Sequence, residues 1–157
     1  MCIRDSTDAA PEILCCVGGL ADSIGAADIT NVEWITTAAD KSDGFTLSVR
    51  VIYNEEVTVT GSPTLAVTNG NQGSGSGRGP HTLVYASGSG TNRLVFNLAI
   101  AANNNATNAN DVLTIGAQNV AKPGGATIKD TADGTTASSV VISSALGTAA
   151  GTLTVSA

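Results

Sequence analysis

From Phe45 to Tyr53 the chain reads FTLSVRVIY, with Phe45, Leu47, Val49, Val51 and Tyr53 at every second position and Thr46, Ser48 and Arg50 between them. Ile52 is the one exception to the alternation. Successive side chains of a strand point to opposite faces, so this period of two predicts a half-buried β-strand and not a helix. A strand with one apolar face must cover it with a second layer. The same pattern returns at Leu94, Phe96, Leu98 and Ile100, interleaved with Val95, Asn97 and Ala99. Shorter strand-like runs occur at Ile29–Ile35, Thr64–Val67, Leu83–Tyr85, Val112–Ile115, around Ile128, and at Val140–Ile142 and Leu153–Val155. Val57 and Val59 resume the pattern after a break at Asn54-Glu55-Glu56. Turn signals lie between the runs: Asp40–Gly44, Gly61-Ser62-Pro63, Ser87–Gly90 and Pro123-Gly124-Gly125. About seven to nine short strands at fairly regular spacing predict an all-β, antiparallel sandwich or barrel.

Composition supports that class. Charged residues make up 13% of the 157, and Gly, Thr, Ala, Ser and Asn dominate. A chain this poor in Leu, Glu, Lys and Arg has little with which to build long helices. The length suits one domain. Residues 1–6 (MCIRDS) resemble the translation of a transposon end used to prepare sequencing libraries, as in fragmentary metagenomic assemblies, and are expected to be an adapter artefact. Residues 7–28 form a lead segment of undefined structure, and residues 29–157 form the sandwich. Two loops stand out, the Gly/Ser-rich Asn69–Pro80 and the Asn-rich Asn103–Asn110. The Gly/Ser loop is expected to be flexible, because Gly and Ser add backbone entropy and offer nothing to bury.

Three ordered stretches carry a resemblance: Val51–Leu65 (VIYNEEVTVTGSPTL), Val84–Phe96 (VYASGSGTNRLVF) and Gly125–Asp130 (GATIKD). They resemble the bacterial immunoglobulin-like repeats of large surface adhesins and of phage virion proteins. The resemblance covers roughly Gly44 to Asp133, and it implies an immunoglobulin-like antiparallel β-sandwich. Gly70–Pro80 is then an insertion relative to the repeats. After Asp130 this chain has Thr131-Ala132-Asp133-Gly134 where the family often has Ala-Gly-Asn-Ala, which weakens any calcium role attached to that segment.

No catalytic, cofactor-binding or metal-binding residue is assigned from the sequence. His81, the single histidine, borders the Gly/Ser loop and is expected to be solvated, whereas a catalytic base is held rigidly by an orienting carboxylate. Glu55 and Glu56 form an acidic doublet, but neighbours on a regular strand point to opposite faces, so the pair is not expected to flank one bond. Calcium is the least implausible ligand, through Asp130 and Asp133 with Asp111, yet it takes six to eight oxygens. A turn-capping role for Asp130 is the preferred reading. Cys15 and Cys16 are adjacent and, with Cys2, lie outside the strand-rich region, so no disulfide across the sheets is expected.

The net charge is −6 and the seven Lys and Arg residues are scattered, which argues against nucleic-acid binding. The apolar run Ile13–Leu20 is far short of the ~20 residues that span a bilayer, so membrane insertion is not expected. The expected function is therefore a non-catalytic structural or adhesive module, extracellular, on a cell surface or on a virion. Its partner would be a protein or glycan surface, neighbouring repeats or capsid subunits. The end at Ala157, shortly after one repeat, favours a short virion protein over an adhesin array. A carbohydrate-binding module of a secreted protein is the alternative. Its weakness is that aromatics are 3% of the chain and four of the five read as inward-facing.

Overall fold

The computed structural model describes residues 25–70, 80–105 and 107–157, together with the backbone of Cys2–Asp5 and Glu12–Cys16. Most of the Gly/Ser loop and the lead residues 17–24 lie outside the described residues, as do the cysteine side chains. β1 (Cys2–Asp5) and β2 (Glu12–Cys16) form an antiparallel hairpin. The chain continues with β3 (Ile29–Trp34), the two-residue β4 (Ala39–Asp40) and the 16-residue β5 (Phe45–Thr60). Then come β6 (Thr64–Gly70), β7 (His81–Ser87) and β8 (Thr91–Ile100). The later elements are short: β9 (Val112–Thr114), β10 (Gln118–Asn119), β11 (Thr127–Asp130), β12 (Val141–Ile142), α1 (Ser144–Ala149) and β13 (Thr152–Ser156). Among the described residues the protein is all-β with one short α-helix.

One curled sheet runs in the order β11-β5-β8-β7-β6-β9-β13-β4, with β3 also paired to β5. β5 is long enough to take β3 against Val49–Tyr53 and β11 against Val57–Thr60 on the same edge. The portion β5-β8-β7-β6 has Greek-key order: β6, β7 and β8 form a meander, and β5 lies against β8 instead of against its successor β6. The alternating run lands as its period requires, with Leu47, Val49, Val51 and Tyr53 all buried against Leu94 and Phe96 of β8. Leu65, Val67, Leu83, Leu113, Ile128 and Val155 complete one continuous apolar core. Each such side chain contributes about 1.5–3 kcal/mol through removal from water. Tyr53 keeps its ring in that core and donates its hydroxyl to the Ser139 carbonyl at 3.1 Å, and burial raises its pKa.

Three features depart from the expected pattern. The sheet is not wholly antiparallel, because β4 pairs in parallel with β13 through Val155–Ala39 and Ser156–Asp40. That ladder stops at two residues because Asp40 accepts from the Ser42 backbone and hydroxyl (2.8 and 2.7 Å) and turns the chain into β5. A short helix, α1, stands where the pattern predicts only strands. Ser143 caps it by accepting from the Leu146 amide at 3.3 Å, and Ser144–Ala149 supplies fewer than two turns of mostly small residues, with Leu146 packed on the core. The third departure is a large bulge in β5. From Ile52 to Val57 the strand advances five residues while its partner advances two, from Arg93 to Thr91. Asn54, Glu55 and Glu56 are thereby pushed out of the ladder, while Val57 returns to the core.

Candidate functional site

The polar residues singled out in the sequence fall into two separate clusters, at different places along β5. The first surrounds the Asn-rich loop beside Gly44. Asn103 and Asn110 adopt positive φ (56° and 67°), which Asn tolerates because its short side chain bonds locally. The Asn103 amide donates to the Lys41 carbonyl and the Asn110 amide to the Val155 carbonyl, both at 2.8 Å, so the loop is tied down at both ends. Beneath it Asp111 is completely buried. Its Oδ2 accepts from Asn69 Nδ2 at 3.0 Å and from the Asn108 amide at 2.8 Å, while Lys41 Nζ donates to Asn108 Oδ1 at 2.9 Å.

His81 belongs to this cluster and corrects the expectation of a solvated loop histidine. It opens β7 opposite Val67, is only 6% exposed, and its Nε2 lies 3.3 Å from Thr107 Oγ1. No period-two pattern flags it, because the strand containing it begins directly at the edge of the Gly/Ser run. Burial lowers the pKa of the ring, and the Asp111 carboxylate opposes that in part. The imidazole is therefore held neutral in the fold, while the unfolded chain protonates near ~6.5. As pH falls through that value the unfolded state binds the extra proton, so stability is present above it and is lost below it. Melting curves at about pH 7.5 and 5.5 should show a fall in Tm on acidification, and His81→Gln should flatten that fall. Equal slopes in the two proteins would contradict the assignment.

The second cluster sits at the β5 bulge. Glu55, Glu56, Asp130, Thr131 and Ala132 line one cavity of about 320 Å³. A bulged segment loses the strict alternation of a strand, and both glutamates border the same hollow, Glu56 exposed and Glu55 half-buried. Asp130, at the end of β11, is buried (1% exposed), and its Oδ1 accepts from the Ala132 amide at 2.7 Å, the turn-capping role expected of it. Asp133 is occupied in its own turn, where it accepts from the Thr135 and Thr136 amides at 2.8 Å and from the Thr136 hydroxyl. Those bonds, the Thr136 hydroxyl first, lower its pKa.

Asp111, Asp130 and Asp133 are therefore not brought together. The Gly44 end of β5 and its bulge lie about ten residues apart, roughly 30 Å of extended strand. Among the described residues no group of three or more His, Cys, Asp or Glu forms a ready ligand set. A further hollow of about 330 Å³ lies between the end of β9 and α1, lined by Thr114, Gly116, Ser144, Gly147 and Thr148. Of the aromatics, Tyr53 and Phe96 are buried, and Trp34, Phe45 and Tyr85 are half-buried against the same core. Among the described residues no helix is long and apolar enough to cross a membrane. Comparison with protein-family models, with curated proteins and with solved structures finds no match.

Proposed function

We propose that this chain is a non-catalytic structural or adhesive module with an immunoglobulin-like sandwich, part of a bacterial surface adhesin or of a phage virion protein. One observation carries the reading. The three stretches that resemble the surface repeats fall on mutually paired strands around one core: β5 with its turn into β6, the β7–β8 hairpin, and β11. β11 pairs with β5, and β5 with β8, so motifs far apart in sequence meet in one sheet. Greek-key order is the connectivity of most β-sandwiches, which fits the same family. The inward aromatics and the loop anchored by Asp111 suit a rigid body that presents surface loops to a partner.

The test is to recover the genomic region that flanks this sequence and to screen the purified protein on a glycan array. Tandem repeats with a secretion signal support the adhesin form, and capsid or tail genes support the virion form. A flanking catalytic domain together with saturable binding to one glycan would replace this reading with that of a carbohydrate-binding module.

A further inference from the structure

Asn69-Gly70 is the only Asn-Gly pair in the chain, and it closes β6. In such a pair the glycine has no side chain to shield its own nitrogen, so that nitrogen can attack the asparagine amide and form a cyclic imide. The fold requires both residues where they stand. Asn69 is 8% exposed, and its Nδ2 donates to Oδ2 of the fully buried Asp111 at 3.0 Å. Gly70 pairs with Val112 of β9, and a Cβ on it would lie 2.8 Å from the Val112 carbonyl oxygen, so a larger residue does not fit. The β6–β9 ladder holds three residue pairs and ends at Gly70, a short terminal ladder of the kind that opens well before a whole domain unfolds. We propose that Asn69 is a deamidation site which the closed fold protects, and that its conversion after opening is one-way, because the product cannot return beside Asp111. The inference rests on this end of β6 alone and does not depend on what the module binds.

The reaction needs no partner other than water. The Gly70 nitrogen forms a bond to Asn69 Cγ, its proton passes to the departing amide nitrogen, and ammonia leaves. Water then opens the imide at either carbonyl and gives aspartate or isoaspartate, so one water is consumed and one ammonia released. While β6 is paired, its backbone is extended and Asp111 holds the amide, which keeps Cγ and the Gly70 nitrogen from closing on each other. After conversion to aspartate an anionic oxygen replaces the Nδ2 donor across the 3.0 Å of the former hydrogen bond. Two carboxylates at that separation in a buried site do not both stay ionised, so one takes up a proton or the end stays open. His81 on β7 is held neutral by its burial and adds no positive charge there, and Lys41 Nζ is directed to Asn108 Oδ1 at 2.9 Å. Isoaspartate lengthens the main chain and breaks the register with β9 outright.

The experiment follows Asn69 by peptide mass mapping in the full chain, incubated at about pH 8 either folded in buffer or unfolded in guanidinium chloride. The unfolded chain should convert first at this asparagine. The folded chain should convert there at least about tenfold more slowly, in proportion to how seldom the ladder opens. In guanidinium Gly70→Ala should slow the conversion, since its methyl group hinders the attacking nitrogen. The effect of the product is read separately with Asn69→Asp, which should melt about 5–10 °C below the parent. Asn69→Asp/Asp111→Asn restores one carboxylate facing one amide and should recover much of that loss. If Asn69→Asp does not fold, recovery of folding in the double variant gives the same reading. Equal rates in the folded and unfolded chains, or no conversion at Asn69 in guanidinium, would overturn the protected site. An Asn69→Asp protein that melts with the parent, or a double variant that does no better than Asn69→Asp, would overturn the one-way step.

Discussion

Phe96→Ala is expected to lower the unfolding free energy by about 3–5 kcal/mol, which is a large part of the 5–15 kcal/mol that holds a domain together. Phe96 is fully buried at the centre of β8, paired in register with Val49 on one side and Tyr85 on the other. Its ring meets the Tyr85 ring edge-on, with centroids 6.1 Å apart and planes at 73°. Truncation removes the transfer energy of the ring and leaves a cavity in the core beneath β8, whose backbone is fixed by ladders on both edges, so little collapse can follow. Phe96→Leu keeps most of the volume and should cost much less. Urea unfolding checks both: the midpoint should drop steeply for alanine and modestly for leucine, at unchanged m-value. A loss below about 1 kcal/mol for alanine would place the core elsewhere.

The second large effect is at the β7–β8 turn. Gly88 has φ +112°, and a Cβ there would lie 1.9 Å from the Arg93 carbonyl oxygen, a backbone atom that cannot swing away. The turn is tightly bonded: the Thr91 amide and hydroxyl both donate to the Gly88 carbonyl, at 3.0 and 2.7 Å. The Arg93 amide donates back to the Thr91 hydroxyl at 3.1 Å. Gly88→Ala must therefore open the hairpin, and a loss of about 3 kcal/mol or more is expected, above the ~1–3 kcal/mol of a strained dihedral alone. Gly90 provides the control. It also has positive φ (+80°) but open space around its Cβ position, so Gly90→Ala should show the conformational cost without the clash. Equal losses for the two variants would show that close approach at Gly88 is unimportant.

Much of the fold is legible along the chain because strand burial repeats every second residue. Leu47, Val49, Val51 and Tyr53 announce their own inward face, and so do Leu94 and Phe96. The turns at Gly61–Pro63 and Ser87–Gly90 are equally readable, since they need residues that tolerate special backbone angles. The short elements are not. β4, β10 and β12 are two residues each, too short for any period to appear, and they exist only because neighbouring strands offer edges to pair with. Gln118 illustrates this, since its side-chain amide bonds both the nitrogen and the oxygen of Ala66 (3.1 and 2.7 Å), standing in for a missing strand residue.

The chemistry followed a different rule. His81 shows why: exposure of a polar side chain depends on what packs over it, and local sequence does not record that. Thr107 closes over His81 from 26 residues away, and Asp130 meets the glutamate bulge from a strand paired to the far half of β5.

By itself, then, the order of residues determined that the chain is built of strands, which face of each long strand is dry, and where the tight turns lie. These are consequences of backbone geometry within a few residues. Only the tertiary structure decided that β5 would lie against β8 and bulge beside it, and that His81 would be buried under Thr107. Strand pairing and burial of polar groups arise from contacts between segments distant along the chain, and periodicity within one segment carries no information about its partner.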